Sequence, residues 1–335
     1  MSDSMVFVGP VERVLFLRTV AVFRSLPPEV LAAVARHTDE LFLPNGSAVF
    51  SPAGGSDRVL LVVEGSLGAE SAGGRTARIA PGGTIGLLAR LARTACPVTA
   101  WAEVDTLALE VDWPAHLDVC EEHFSVLLEY LNILAAELLH HEKPCSAAVG
   151  RRAEPVALPR PVPSGTGLDR VQRALWLGVT PTFRRANRDA LFELAGHVTE
   201  ARWTDGSALW EAGDPADHFV LITDGRVSED GIDVDGESAA ATLLGLEESL
   251  AGLQRSRDVR AVGPVRGLRI GTEAFVDILE DHFDAALGIA AELAARLLPM
   301  TGGVLPGERT TWNAPGERIS DSDRQPKDAL GALER

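Results

Sequence analysis

The stretch Gly206–Val227 reads GSALWEAGDPADHFVLITDGRV and decides the fold. It joins a β-rich apolar run, His218–Gly225 (HFVLITDG), to turns that contain glycine and aspartate. A similar run, Val59–Gly65 (VLLVVEG), lies earlier in the chain. Strand-like runs of this kind, spaced by about ten residues, predict a small antiparallel barrel or jelly roll.

The same stretch belongs to an internal repeat, because Glu12–Gly65 aligns with Gln172–Gly225 without an insertion. Identical residues meet along the whole alignment: Arg13 with Arg173, Leu15 with Leu175, Phe23 with Phe183, Leu31 with Leu191, His37 with His197, Glu40 with Glu200, and Gly65 with Gly225. The segment NGSAVF at Asn45–Phe50 meets DGSALW at Asp205–Trp210. The repeat predicts two copies of one domain.

Each copy begins with a helix in which apolar residues recur at helical spacing, continues with the short strands, and ends in a second helix. The terminal helices are predicted over Phe124–Leu139 and Phe275–Leu298. The predicted fold class is therefore α+β, with two tandem helix–β-barrel (jelly-roll)–helix domains. The domains are expected at residues 1–142 and 169–299, joined by a Pro/Ala-rich linker at 143–168 and followed by a disordered tail at 300–335.

Composition excludes several classes of protein. The 335-residue chain has a formal net charge of −17, which argues against binding to nucleic-acid phosphates. No apolar run is long enough to span a membrane, and the N-terminus has no basic segment before its apolar residues. Three cysteines without framework spacing fit a reducing compartment, so we expect a cytoplasmic protein.

The glycines and aspartates of Gly206–Val227 and the preceding helix resemble the cyclic-nucleotide-binding domain family, and the resemblance extends to both copies. In that family a Gly-Glu-x-Ala helical turn, an arginine and a strand of small residues form a phosphate-binding cassette. The resemblance implies that the glutamate accepts from the ribose 2′-hydroxyl and the arginine pairs with the cyclic phosphate.

The first copy departs from this cassette. Its segment Gly82–Ala102 has Gly86 in place, but Leu87 stands where the glutamate should be and Cys96 where the arginine should be. Arg90 and Arg93 lie nearby in sequence. A sugar hydroxyl buried beside leucine would lack a partner, so this copy is predicted to be degenerate.

The second copy leaves two registers open in Gly245–Ala261, GLEESLAGLQRSRDVRA. Aligned on the repeat, Leu246 takes the glutamate position, and alignment on the small-residue strand at Asp258–Ala261 puts Arg255 in the arginine position. Aligned on the spacing that the family usually shows, Glu248 would pair with Arg257. The candidate ligand-binding residues are accordingly Gly245, Glu247, Glu248, Ser249, Arg255, Arg257 and Ala261. A solvated surface loop with weak ion pairs is the alternative.

The sequence gives less support to a zinc site, a metal-dependent enzyme or a DNA-binding protein. His140, His141, Glu142 and Cys145 match no established zinc spacing, and the chain has no His-x-His pair for a metal-dependent jelly-roll enzyme. No helix-turn-helix pattern follows Leu298. We therefore predict no catalytic residues, no metal and no cofactor.

The predicted function is a non-enzymatic regulatory or sensor protein that binds cyclic AMP or cyclic GMP in its second copy and signals to a protein partner. A ligand-free scaffold with the same fold is the alternative. The terminal helices are the expected association surfaces, for a partner or a homodimer. In the second helix an apolar stripe is formed by Phe275, Ile278, Phe283, Leu287, Ala290 and Leu293. The alternative is that this helix packs on its own barrel or on the other copy.

Overall fold

The computed structural model of the chain describes residues 9–51, 58–71, 73–141, 167–234, 241–305 and 311–313. In this part of the chain each copy has short N-terminal helices, antiparallel strands and C-terminal helices. The α+β class with two tandem domains is thus confirmed. The predicted linker lies outside the described residues over 143–166.

The first copy has its strands in two sheets. Its helices are α1 (Pro10–Leu17), α2 (Pro28–Arg36), α3 (Leu87–Ala92), α4 (Trp113–Glu122) and α5 (Phe124–His141), with a 3-10 turn at Ala21–Phe23. Its strands are β1 (Thr38–Leu43), β2 (Ala48–Phe50), β3 (Leu60–Glu64), β4 (Leu67–Ser71), β5 (Thr76–Ile79), β6 (Thr84–Ile85), β7 (Val98–Ala102) and β8 (Thr106–Val111). The two sheets have the orders β1-β8-β3-β6 and β5-β4-β7-β2.

The second copy repeats this order with longer strands. Its helices are α6 (Arg170–Gly178), α7 (Arg188–His197), α8 (Leu246–Leu250), α9 (Thr272–Asp281) and α10 (Phe283–Thr301), with a 3-10 turn at Pro181–Phe183. Its strands are β9 (Thr199–Trp203), β10 (Ala208–Trp210), β11 (His218–Glu229), β12 (Ile232–Val234), β13 (Thr242–Leu244) and β14 (Val259–Gly271). The long strands β11 and β14 pair with each other, and the shorter strands flank them.

Equivalent contacts in the two copies show why the repeated residues matter. Arg13 and Glu40 form an ion pair of 2.9 Å in the first copy, and Arg173 and Glu200 form one of 3.2 Å in the second. Each pair joins the first helix of its copy to the first strand. Two identical residues of the repeat therefore fix the same helix–strand junction twice.

Matched glycines also occupy equivalent turns, as the repeat predicts. Gly46 and Gly206 have φ angles of 79° and 73°, and Gly65 and Gly225 have φ angles of 89° and 95°. The latter pair lies where the chain passes from one half of the barrel to the other, against the backbone of a neighbouring strand. Other residues are strained at such angles, so the sequence keeps glycine there.

The two copies pack reciprocally through their cassette helices and terminal helices. The first copy's α3 contacts α10 of the second copy, the second copy's α8 contacts α5 of the first, and α5 and α10 pack against each other. One continuous apolar core includes buried residues from both copies. In the described part of the chain, no helix is long and apolar enough to cross a membrane.

This packing decides between the two interpretations of the apolar stripe in the second terminal helix, and the stripe is not a free association surface. Phe275, Ile278, Ala290 and Leu293 are buried, and Phe283 and Leu287 are half-buried against the same core. The stripe is covered within the chain. The helix itself is also interrupted, because His282, with φ −125° and ψ 68°, separates α9 from α10.

The start of the predicted disordered tail is ordered in the structure. After α10 the chain forms β15 (Val304–Leu305), which extends the first copy's sheet beside β6, and β16 (Thr311–Asn313), which pairs with β5. Val304 and Leu305 are buried. A strand of two residues is too short to show the alternation of apolar and polar residues that identifies strands in a sequence. The sequence therefore did not indicate this return to the first copy. Residues 306–310 and 314–335 lie outside the described part.

Candidate functional site

The cassette of the second copy begins at Gly245, which precedes α8 with a φ of 80°. A Cβ at this position would lie 2.3 Å from Arg255 Nη1 and 3.1 Å from the Trp210 ring. Gly86 precedes α3 in the first copy with a similar φ of 91°. Glycine is needed at Gly245 for two reasons, the left-handed backbone and the close approach of Arg255.

Arg255 is the central charged group of this site, and its side chain is enclosed by the protein. Its exposed fraction is 2%, and its guanidinium carbon lies 4.1 Å from the centroid of the Trp210 ring. Nη1 donates to the carbonyl of Gly245 at 3.0 Å, and Nη2 donates to the carbonyl of His218. Burial lowers the pKa of Arg255, which the nearby Glu248 partly offsets.

The hydrogen bonds of Arg255 leave its charge without a direct counterion. Among the residues that the structure describes, no carboxylate lies within ion-pair distance of the Arg255 guanidinium, and its buried Nε has no hydrogen-bond partner. A buried cation that contacts only backbone carbonyls and an aromatic face is a favourable place for an anion.

Ser249 and Ala261, which precede and follow Arg255 in the sequence, both contact other residues of the second copy. Ser249 Oγ lies 2.7 Å from the carbonyl of Gly245 and 2.9 Å from that of His218, the same two carbonyls that receive Arg255. Ala261 is buried in β14, where it pairs with Val227 of β11. The structure therefore brings Gly245, Ser249 and Arg255 together.

Glu247 points away from this group, towards the terminal helix of its own copy. It is 2% exposed, and its Oε1 accepts from Arg296 Nη1 of α10 at 2.7 Å. The Glu247 carboxylate, which the sequence suggested as an acceptor for the ribose hydroxyl, therefore joins the cassette helix to α10. The residue directly after Gly245 is Leu246, which is buried like its counterpart Leu87.

Glu248 and Arg257, the second register, are not paired with each other in the structure. Glu248 Oε1 accepts from Ser256 Oγ at 2.9 Å. Arg257 Nη1 lies 3.4 Å from Glu229 Oε2 at the end of β11. Of the two candidate arginines, Arg255 is the one that packs against the cassette glycine.

A polar cluster lies next to the Arg255 site at the start of β11. His218 Nδ1 is 2.5 Å from Asp217 Oδ1, and Arg269 Nη2 is 3.1 Å from the same nitrogen. The hydrogen bond from His218 lowers the pKa of Asp217, whereas burial lowers the pKa of His218. The His218 ring also meets the edge of Trp210, with 6.0 Å between ring centroids.

The two corresponding positions of the first copy, Leu87 and Cys96, hold uncharged residues. Leu87 and Cys96 are both buried, and burial raises the pKa of the Cys96 thiol. A Cβ at Gly303, just before β15, would lie 3.3 Å from Cys96 Sγ, so the returning chain packs over this position. Among the described residues, no group of three or more His, Cys, Asp or Glu could hold a metal ion.

Sequence reasoning missed three residues that build the second-copy site. Trp210 and His218 stand in the quoted stretch, and their contacts with Arg255 depend on barrel closure. Asn132 of α5 places a side-chain amide atom 2.7 Å from the carbonyl of Leu250, and with that atom assigned as nitrogen it donates a hydrogen bond to α8. Asn132 lies in the other copy, so nothing local in the sequence relates it to this cassette.

Comparison with known proteins gives a family for the second copy. Residues 200–282 match the family model described as the cyclic nucleotide-binding domain. This match confirms the resemblance noted in the sequence. Comparison with curated proteins finds no match.

Solved structures with similarity to the chain include regulatory proteins. The regulatory domain of Toxoplasma gondii PKA with cAMP is 16% identical, covers 81% of this chain and 94% of its own, and has a TM-score of 0.30. The regulatory subunit of a cAMP-independent protein kinase A from Trypanosoma brucei is 14% identical, with coverages of 90% and 92% and a TM-score of 0.32. The sensor domain of the transcriptional regulator DNR from Pseudomonas aeruginosa is 20% identical, with coverages of 39% and 91% and a TM-score of 0.34.

Proposed function

We propose that this chain is a non-enzymatic regulatory protein whose second copy, which matches the cyclic nucleotide-binding domain model over residues 200–282, binds a cyclic nucleotide through Arg255. The supporting observation is the buried Arg255 guanidinium, which has no carboxylate partner among the described residues and an unpaired Nε donor. An unpaired buried donor costs about 1–3 kcal/mol, and a phosphate oxygen would remove that cost. Cyclic AMP and cyclic GMP are the first ligands to test.

The sugar of such a ligand, unlike its phosphate, would have no hydrogen-bonding partner at the two positions after the cassette glycine. Leu246 follows the cassette glycine and offers no acceptor, while the Glu247 carboxylate is held by Arg296. Binding would therefore rest on the phosphate and on Trp210. We expect cyclic AMP and its 2′-deoxy analogue to bind with similar affinity.

Output to a protein partner would start at the cassette helix. Glu247 connects α8 to α10, and Asn132 connects α8 to α5 of the first copy. A ligand that moves α8 would act on both terminal helices at once. The buried free thiols of Cys96 and Cys120 fit action in a reducing compartment such as the cytoplasm.

Titration calorimetry of the full chain with cyclic AMP and cyclic GMP tests the proposal. Wild type should release or absorb heat, Arg255→Gln should bind at least tenfold more weakly, and the matched variant Arg257→Gln should bind like wild type. Far-UV circular dichroism checks that the variants are folded. Equal binding by Arg255→Gln and wild type would refute the role of Arg255.

A ligand-free scaffold is the second candidate, and one observation favours it. The carboxylate nearest in sequence to the ribose position, Glu247, is already part of the packing between α8 and α10. A module that only holds helices together would use it in this way. Absence of any heat or melting shift with either nucleotide would support the scaffold and reject the sensor.

A further inference from the structure

The chain returns from α10 to the first copy and adds one strand to each of its two sheets. β15 pairs with β6, where Val304 lies opposite Ile85 and Leu305 lies opposite Thr84. β16 pairs with β5 over Thr311–Asn313. In their sheets, β5 and β6 are the last of the first copy's own strands. We call β15 and β16 together the C-terminal strap, which therefore occupies the edge that β5 and β6 form.

The second copy shows that the barrel does not need such added strands. Its β13 corresponds to β6, because Leu244 lies opposite Val220 just as Ile85 lies opposite Leu60 in the repeat. Its β12 corresponds to β5, since each forms a hairpin with the strand before it. Over the residues that the structure describes, β12 and β13 pair only with β11. The strap of the first copy is therefore a bound element and not part of the repeated fold.

The side chains of β15 are enclosed where the strap docks. Val304 is fully buried, and Leu305 is 7% exposed. β15 contacts α3 of the first copy and α10 of the second as well as β6. When an extended peptide adds to the edge of a sheet, main-chain pairing supplies affinity and side-chain pockets supply specificity. This edge provides both for a peptide with two adjacent apolar residues.

Two glycines join the strap to α10 and direct it over the first copy's cassette. Gly302 and Gly303 have φ angles of 60° and 85°. A Cβ at Gly303 would lie 3.2 Å from Pro97 Cδ and 3.3 Å from Cys96 Sγ. Cys96 stands at the arginine position of this cassette. The first copy therefore holds a peptide segment against a cassette that lacks the glutamate and the arginine of the family pattern.

We propose that the edge formed by β5 and β6 is a peptide-binding site of the first copy, with the C-terminal strap as its resident ligand. The strap pairs through few residues, and its attachment to α10 holds it at the edge with an effective concentration on the order of millimolar. A free peptide of the same sequence binds this edge once the strap is displaced. The site does not rest on the proposed function, because none of its residues belongs to the second-copy cassette.

The probe for the test is a fluorescent peptide of residues 302–313, GGVLPGERTTWN. In the full chain, Val304→Asp releases the strap, because it puts a charge at a fully buried position. Fluorescence anisotropy should show at least tenfold tighter binding of the probe to this variant than to wild type. Val171→Asp, at a position that is 58% exposed, should bind the probe as weakly as wild type. A control peptide with aspartate in place of the valine should not bind.

A disulfide tests whether the strap and the probe compete for the same edge. Gly303→Cys places a thiol close enough to Cys96 to form a disulfide with oxidised glutathione. It is combined with Val304→Ser, a milder release of the strap than Val304→Asp. The reduced protein should bind the probe, and the oxidised protein should bind it at least tenfold more weakly.

Far-UV circular dichroism checks that each variant is folded, and Val304→Ser alone replaces Val304→Asp if the aspartate variant is not. A folded release variant that binds the probe no more tightly than wild type does would overturn the proposal. Equal binding of the probe and the control peptide, or equal binding by the oxidised and reduced proteins, would overturn it as well.

Discussion

Glu247 of α8 and Arg296 of α10 form an ion pair of 2.7 Å in which the glutamate side chain is 2% exposed and the arginine side chain 12%. The pair joins the cassette helix of the second copy to the helix that packs on the first. It thus connects the candidate site to the contact between the copies.

Removing the carboxylate of this pair should destabilise the protein strongly, because a buried ion pair then loses one of its two charges. We expect Glu247→Gln to lower the free energy of unfolding by about 3 kcal/mol in a denaturant titration. The matched control is Glu211→Gln, which breaks the exposed pair with Arg260 and should cost less than about 1 kcal/mol. Similar losses in the two variants would contradict the structural role of Glu247.

Substitution of Gly245 tests the close approach of Arg255 to the cassette. Gly252→Ala, at a φ of 64° with open space around it, should cost about 1–2 kcal/mol from backbone strain alone. Gly245→Ala should cost clearly more, because its Cβ would also collide with Arg255 Nη1. Equal melting temperatures of the two variants would mean that Arg255 does not pack there.

The strand that returns from the second copy should contribute to the stability of the first. Val304 is fully buried between β6 and the core, so Val304→Ala should lower the free energy of unfolding by about 2 kcal/mol. Val171→Ala, at a position that is 58% exposed, should change it by less than about 0.5 kcal/mol. A neutral Val304→Ala would indicate that β15 does not hold the copies together.

The sequence predicted the features that depend on repetition and on backbone geometry. Arg13 and Arg173 recur because each closes the same junction with a glutamate, and Gly65 and Gly225 recur because each turn needs a positive φ. Such constraints act within one copy, so alignment of the chain with itself reveals them.

Contacts between the copies could not be predicted in the same way. The partner of Glu247 lies on a helix whose orientation depends on the packing of both domains, and Asn132 reaches α8 from the other copy. The apolar stripe of α9 and α10 indicated a contact surface, but its period does not say whether the partner is another chain or the first copy. The homodimer therefore stays a prediction. The apolar stripe no longer supports it, because the stripe is buried within the chain.

A buried histidine should make stability depend on pH. His116 is fully buried, its Nε2 lies 2.7 Å from Tyr130 Oη, and burial lowers its pKa to about 4. Its pKa in the unfolded chain is about 6.5, so the unfolded state binds the proton first as pH falls. The contribution is complete above pH 6.5 and is lost between pH 6.5 and about 4.

Denaturant titrations at several pH values check this expectation. Between pH 7 and pH 4, wild type should lose up to about 3 kcal/mol more of its free energy of unfolding than His116→Phe, which has no group to protonate there. Parallel losses in the two proteins would show that His116 is not neutral and buried in the folded state.

The most direct test of the proposed ligand site is the Nε–H resonance of Arg255, the buried donor for which the described residues provide no acceptor. Its signal can be assigned in nitrogen-edited NMR spectra by its loss in Arg255→Lys. Addition of cyclic AMP or cyclic GMP should shift this resonance downfield and slow its exchange with water, as expected for a donor that gains a phosphate acceptor. A resonance that stays unchanged at millimolar concentrations of both nucleotides would contradict the assignment of Arg255 as the phosphate-binding residue.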